Sequence, residues 1–192
     1  MHSRRLVFIS FILIFFLGCK PAIIESNVRS GYTKKLDKVY VLMTTTDSNG
    51  ESFFYKLDPE LSSKLTTCSV KNMIHVYKNL GLDEKKTIAN ELKEFDPNFI
   101  LTIQLTSRRF TIFSNGFSHS RPAPSGATFE LILQEADKED IVWKAMLETS
   151  GSSYYTAFSS GGTLGKPEAT VAEIINCLHK DGLLTVPPTT SR

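Results

Sequence analysis

The chain has 192 residues, of which 22 are Lys or Arg and 20 are Asp or Glu, giving a formal net charge of +2 at pH 7. Arg4 and Arg5 account for that excess, so the remainder is formally neutral and gives no electrostatic reason to expect nucleic acid as a partner. Apolar residues make up 41% of the chain, a fraction typical of a globular protein that excludes general disorder. The length suits a single domain.

Residues 1–18 are predicted to be a secretory signal peptide. Arg4 and Arg5 precede an apolar run from Leu6 to Leu17. This run is too short to cross a bilayer, since a spanning helix needs about 20 residues. A charged start, a short apolar run and a small residue at the cleavage point are typical of a cleaved signal.

The residues Phe16-Leu17-Gly18-Cys19 resemble the lipobox of bacterial lipoproteins, although that family prefers Leu, Val or Ile in place of Phe16. The resemblance implies that Cys19 carries a diacylglyceryl group and a further acyl chain such as palmitate, which anchor the protein in a membrane. Enterobacterial lipoproteins kept at the inner membrane have Asp where this chain has Lys20. The resemblance therefore implies the outer membrane, with the domain facing the periplasm. The alternative is an ordinary cleaved signal in which Cys19 is incidental.

The remaining chain is predicted to form one domain with flexible ends. Residues 19–36 lack clear periodicity and predict a lipidated cysteine followed by a flexible tether, with Lys34 and Lys35 in solvent. Residues 37–184 predict a single domain, and residues 185–192 predict a disordered tail.

Five strands and three helices are predicted within this domain. Apolar or alternating runs predict strands at residues 39–43, 70–77, 99–113, 128–136 and 141–149. Start signals predict helices from Asp58-Pro59, from Asp83 and from Pro167. The last helix is followed by Gly182. Its apolar stripe consists of Val171, Ile174, Ile175 and Leu178.

The predicted order is β-α-β-α-β-β-β-α. Helical crossovers make the first three strands parallel and the late hairpin adds antiparallel strands, which predicts an α/β fold bordering on α+β. We expect a mixed sheet of about five strands with helices packed on it. The stretch from Ala136 to Ala145, with Trp143 near its end, resembles the late hairpin of small α/β outer-membrane lipoproteins. These include the penicillin-binding-protein activators and several uncharacterised lipoprotein families, and the resemblance implies their fold class, not an activity.

Besides the anchor, Cys68 and Cys177 remain in the mature chain. The periplasm is oxidising, so a disulfide between them is one interpretation. The other is that Cys177, which lies within the last predicted helix, is free and buried and acts as a small apolar residue.

No pattern typical of catalysis or metal binding stands out. The mature chain has only His75, His119 and His179, and no serine lies in a nucleophile-elbow context. There is no HExxH, Cys-x-x-Cys or acidic calcium loop, and Gly161 to Lys166 lacks the spacing of a phosphate-binding loop. We therefore expect no enzymatic activity, no cofactor and no metal ion.

Two loops, residues 114–126 and 150–166, are predicted to leave the same end of the sheet. Arginine and aromatic residues in and beside them are typical of a binding surface: Arg108, Arg109, Phe117, His119, Arg121, Tyr154, Tyr155 and Phe158. In the alternative interpretation, Phe110 and Phe113 belong to the core, the arginines are simply solvated and the loops only connect strands.

The leading hypothesis is a non-enzymatic, lipid-anchored periplasmic binding or assembly module at the bacterial outer membrane, which contacts an envelope protein. The alternative is a binder of peptidoglycan or another envelope glycan, with Tyr154, Tyr155 and Phe117 stacking on sugar rings. A third hypothesis is an enzyme whose site the sequence does not reveal.

Overall fold

The computed structural model describes five stretches of the chain: residues 21–46, 48–77, 83–113, 121–150 and 164–185. Their strands are β1 (Ala22–Val28), β2 (Lys38–Thr44), β3 (Lys71–Val76), β4 (Phe99–Phe113), β5 (Arg121–Glu135) and β6 (Ile141–Ser150). Their helices are α1 (Ser48–Thr67), α2 (Glu84–Phe95) and α3 (Pro167–Lys180). The predicted α/β class with one mixed sheet is confirmed, with six strands in place of about five.

The strands form a sheet in the order β1-β6-β5-β4-β2-β3. Strand β2 lies parallel to both β3 and β4, and α1 and α2 supply the long crossovers that parallel neighbours need. Strands β4, β5, β6 and β1 pair antiparallel in turn. The parallel first half and the antiparallel late hairpin predicted from the sequence are both confirmed.

Strand β1 corrects the prediction of a flexible tether over residues 19–36. It pairs antiparallel with β6, beginning with Ala22 beside Glu148. Ile23 and Val28 pack against the core, but a bulge after Ile23 shifts the positions that face inward. The alternation that marks a strand in the sequence is therefore broken, which is why the sequence predicts a tether over these residues.

Helix α1 begins at Ser48, well before the predicted start at Asp58-Pro59. Each buried side chain in its stripe contributes about 1.5–3 kcal/mol, so together they outweigh the roughly 3 kcal/mol cost of proline inside a helix. Pro59 itself lies on the exposed side. The buried stripe continues without interruption from before Pro59 to after it: Phe53, Phe54, Leu57, Leu61 and Leu65.

The apolar core lies between one face of the sheet and helices α1 and α3. Phe53 and Phe54 of α1 contact Phe129 of β5, with ring centroids 5.5 and 5.9 Å apart. The predicted stripe of α3 is buried, and Gly182 follows its end with a φ of +74°. None of the helices in the described stretches combines the length and apolarity needed to cross a bilayer.

Helix α2 lies over the opposite face of the sheet. Tyr40 alternates with the core residues Val39 and Val41 along β2, so its side chain projects from that opposite face. There its hydroxyl donates a hydrogen bond to Glu91 of α2 at 2.6 Å. No residue of α2 is buried, so polar contacts are a large part of what attaches this helix.

Trp143 of β6 fixes the carboxyl-terminal end of α3. The ring is only 1% exposed, and its indole N–H donates to Asp181 Oδ2 at 2.7 Å. Asp181 is the residue that caps α3, and the Cys177 thiol donates to the same oxygen at 3.5 Å. A buried N–H must find an acceptor, so this bond sets where α3 ends against the sheet.

We expect Trp143→Phe to lower the free energy of unfolding by about 1–3 kcal/mol, because the Asp181 carboxylate loses a donor and the core loses volume. Equilibrium urea denaturation measures the change. The same substitution should cost less in an Asp181→Ala background, where the bond is already absent. Equal costs in both backgrounds would show that the bond contributes nothing.

Candidate functional site

The structure describes part of the predicted contact surface. Arg108 and Arg109 lie in β4, and Arg121 begins β5, where only its backbone is described. The other predicted residues lie outside the described residues: Cys19, Phe117, His119, Tyr154, Tyr155 and Phe158. The geometry of the site is therefore built from the ends of β4, β5 and β6.

Strands β4 and β5 extend past β6 as a two-stranded arm. The β5–β6 pairing ends with Gly126 beside Ser150, and Gly126 also pairs with Arg109 of β4. Further out, residues 110–113 pair with residues 121–124, and these residues are termed the arm. Four residues at about 3.3 Å each carry the arm about 13 Å past the end of β6.

The arm marks one end of the sheet, termed the arm end. Strands β2, β3, β4 and β6 all run toward it, so the segments that follow β4 and β6 leave from the same end. Strand β1 runs the other way, and its first residue, Ala22, lies beside Glu148 near the end of β6. The chain therefore also enters the sheet at the arm end.

An exposed aromatic residue and two arginines form the arm-end surface, defined as Arg108, Arg109 and Phe110. The Phe110 ring is 53% exposed, so the interpretation of this residue as core is wrong. The Arg108 guanidinium lies over the ring, 5.8 Å from its centroid. Arginine beside an exposed aromatic ring is typical of a binding hot spot.

Arg109 crosses β5 to reach β6. Its Nη1 lies 3.2 Å from Glu148 Oε2, and its Nη2 donates to the Thr149 carbonyl oxygen at 3.2 Å. The crossing requires glycine at position 126, where a Cβ would lie 2.3 Å from that carbonyl oxygen and 3.2 Å from Arg109 Nη2. Because both charged side chains are partly exposed, the pair contributes only about 0–1 kcal/mol, and its main effect is to orient the guanidinium.

Thr149 joins the base of the arm to the start of α3. Its buried hydroxyl accepts a hydrogen bond from the Ala127 N–H at 3.2 Å and donates one to the Leu164 carbonyl oxygen. Gly165, with a φ of +124°, packs against the same side chain. The base of the arm is therefore closely packed, whereas Phe110 projects from it.

A second polar cluster joins α2 to the sheet. His75 Nδ1 lies 2.8 Å from Glu91 and His75 Nε2 lies 2.8 Å from Glu84. Tyr40 donates to the same Glu91 oxygen, and burial together with this bond raises the pKa of Tyr40. Both ring nitrogens of His75 thus contact carboxylates of α2, which ties this helix to β3.

A third cluster holds the segment that follows β1. Glu135, buried at the end of β5, accepts hydrogen bonds from Lys34 Nζ at 2.5 Å and from the Tyr32 hydroxyl at 3.1 Å. Lys138 Nζ lies 3.5 Å from its other oxygen. The bond from Lys34 is the main reason that the pKa of Glu135 falls from 4.5 to about 2. Lys34, predicted to be a solvated charge of the tether, is thus bound to the domain.

Cys68 and Cys177 do not form the disulfide that the sequence left open. Both thiols are free and buried. Burial raises the pKa of Cys177 to about 11 and also raises the pKa of Cys68. Cys177 points to Asp181 and not to a second sulfur, and being free and buried it agrees with the alternative interpretation of this residue.

Sequence reasoning missed both polar clusters. The partners of His75 lie 9 and 16 residues further along the chain, and those of Glu135 lie 101 and 103 residues earlier. One signal was available: a histidine between Ile74 and Val76 in a predicted strand needs polar partners if the strand is covered. Which residues supply them depends on how α2 crosses the sheet.

The arm-end surface offers guanidinium donors and an exposed ring, which suit recognition of a partner. Within the described stretches, no three His, Cys, Asp or Glu side chains are grouped so that they could hold a metal ion.

No protein-family model matches the chain, and no curated protein matches it. Among solved structures, the PelC dodecamer from Paraburkholderia phytofirmans is 13% identical, with a TM-score of 0.41 over 66% of this chain and 81% of that chain. Lipoprotein GNA1162 from Neisseria meningitidis is 10% identical, with a TM-score of 0.40 over 74% and 98%. A minor lipoprotein from Acinetobacter baumannii is 9% identical, with a TM-score of 0.31 over 77% and 95%. Similar structures thus include bacterial lipoproteins, but likeness at this level carries no argument about function.

We expect Glu135→Gln to destabilise the protein at neutral pH, because Lys34 and Tyr32 lose a charged acceptor. The folded-state pKa of Glu135 is depressed, so its contribution is present above about pH 4.5 and is lost as the pH falls toward 2. The difference in free energy of unfolding between wild type and variant should therefore shrink between about pH 5 and pH 2.

Urea denaturation at a series of pH values measures this difference. Glu139→Gln is the matched control, since it removes the same charge from an exposed position in the adjacent turn. A destabilisation by Glu135→Gln that stays constant with pH would contradict the charged state assigned to this carboxyl.

We expect His75→Phe to make amide hydrogen exchange in α2 about tenfold faster, because a helix without buried residues loses two of its polar attachments. Hydrogen exchange with mass spectrometry, comparing α2 with β4, measures the change. Lys85→Gln, on the exposed side of the same helix, should leave exchange unaltered. Unchanged exchange in His75→Phe would mean that other contacts hold α2 in place.

Proposed function

We propose that the protein is a lipid-anchored, non-enzymatic binding module of the bacterial outer membrane. The signal peptide, the lipobox-like residues that end at Cys19 and the following Lys20 support this location. Several acyl chains at Cys19 give a firm anchor, because each buried CH₂ contributes about 0.8 kcal/mol.

The Arg108–Phe110 pair is the observation that carries the binding role. The ring is large, exposed and attached to a strand whose base is held by Arg109 and Thr149. A group that is already held in place loses less conformational entropy when a partner binds. We therefore propose that the arm-end surface contacts a protein of the cell envelope.

The polar clusters support a role without catalysis. Both ring nitrogens of His75 are engaged by carboxylates, and Glu135 is held in its charged form by Lys34. Groups arranged in this way stabilise contacts between elements.

A photo-crosslinking residue in place of Phe110, in the lipidated protein in its native cells, tests the surface. We expect a discrete protein adduct, at least about fivefold stronger than from the same residue at Ile141, because hot spots are localised. Ile141 is a matched control, because it is 44% exposed and begins β6 at the end of the sheet opposite to the arm. Equal adducts from the two positions, or none from position 110, would refute the surface.

The anchor is checked in the same cells with labelled palmitate. The wild type should incorporate the label and Cys19→Ser should not. Label in the variant, or none in the wild type, would refute the lipid anchor without bearing on the arm-end surface.

A further inference from the structure

The proposed anchor lies close to the arm end of the sheet. Cys19 precedes Ala22 by three residues, which span at most about 11 Å. From Ala22 onward the chain is paired with β6. The far end of β6, at Ile141, lies seven residues from Glu148, or about 23 Å. Lipid on Cys19 therefore holds the arm end near the bilayer, since the far end of the domain is out of its reach.

The pairing of β1 prevents the chain from acting as a longer tether. Ile23 and Val28 pack against the core, and the Ile23 N–H donates to Glu173 of α3 at 3.4 Å. Releasing β1 would expose both side chains and break its bonds to β6. The free length between lipid and sheet is thus the three residues before Ala22.

The arm extends as far toward the membrane as the anchor does. Ala22 is level with Glu148, which is two residues, or about 7 Å, short of the end of β6 at Ser150. A fully extended chain to Cys19 therefore ends only about 4 Å past Ser150, whereas the arm continues about 13 Å past it. With the strands upright on the bilayer, this link is therefore too short to lift the arm clear of the surface.

We infer that the arm end faces the bilayer and that the partner of the arm-end surface is a protein resident in the same membrane. The inference rests on the lipid anchor of the proposed function. An arm directed at the membrane points away from the space on the far side of the domain. A soluble protein or a glycan layer located there would not meet Phe110.

The composition of the arm-end surface favours a protein over lipid headgroups. Recognition of anionic headgroups relies on clusters of basic residues. Here Arg109 is paired with Glu148, and Arg108 stacks on the ring of Phe110. Phe110 presents an exposed aromatic ring beside a guanidinium, the combination enriched in protein interfaces.

Depth-dependent quenching tests the orientation. The lipidated full chain is placed in phosphatidylethanolamine–phosphatidylglycerol vesicles that contain a headgroup-nitroxide lipid, with a fluorophore on Phe110→Cys or on Ile141→Cys. The unsubstituted protein controls for labelling of Cys68 and Cys177, which are buried. We expect quenching at least about threefold stronger at position 110, because β6 alone spans about 30 Å from Ile141 to Ser150. Equal quenching, or stronger quenching at position 141, overturns the orientation.

Insertion of a spacer tests the class of partner. Twenty Gly/Ser residues between Pro21 and Ala22 add a reach of about 25 Å and release the domain from the bilayer surface. We expect the protein adduct from position 110 to fall about tenfold, as the effective concentration at the membrane drops. The same spacer inserted after Thr185 should leave the adduct unchanged. An undiminished adduct with the first spacer overturns the inference, because the partner would not be confined to the membrane.

The outcomes separate this inference from the proposed function. Absence of palmitate label in the wild type refutes the anchor, and with it this inference, but leaves the arm-end surface of the proposed function standing. Strong quenching at position 110 with adducts to lipid alone refutes the protein partner and makes the bilayer the occupant. Strong quenching together with a protein adduct that the first spacer lowers about tenfold supports the inference.

Discussion

Strand β1 joins the sheet at Ala22 and pairs with β6 as far as Val28 beside Trp143. This pairing turns most of a segment that looks like a linker into part of the domain. A flexible linker of 15 residues would let the domain move about 20 Å from an anchor at its start. With the anchor proposed at Cys19, three extended residues would confine it to about 11 Å. Which surfaces the rest of the structure can present to a partner depends on this one edge strand.

Ion pairs and side-chain hydrogen bonds attach the segment after β1 to the domain, whereas backbone hydrogen bonds attach β1 itself. Glu135 takes Lys34 and Tyr32 as partners, and Arg29 pairs with Asp140 at 3.1 Å. A buried carboxylate is costly unless its charge is matched, so Glu135 and its partners stabilise the fold only as a set. The polar residues that made this segment look like a tether are thus the residues that attach it.

Regular spacing predicted β4, β6 and α3 because their buried faces follow one period. Sequence patterns gave a wrong prediction in two places. The Asp58-Pro59 signature predicts a helix start, but the buried stripe of α1 extends the helix to Ser48. In β1 a bulge breaks the alternation by which a strand is recognised. Arg108 and Arg109 could be found because arginine near aromatic residues is a local signal. That Arg109 meets Glu148 across Gly126 could not be found, since it depends on the register of three strands.

The arm end combines a packed base with an exposed contact. The Arg109–Glu148 pair is too exposed to contribute much stability, but it orients the Arg109 guanidinium across Gly126 of β5. The neighbouring Phe110 ring is exposed. Ordering a long side chain at an interface costs about 0.5–1.5 kcal/mol, and this cost is already met for Arg109 in the free protein. A short link at Ala22 would restrict the position of the whole surface in the same way. With the anchor and the partner proposed above, affinity at this end of the sheet could come from few contacts, because Arg109 and the tethered domain would have little freedom left to lose.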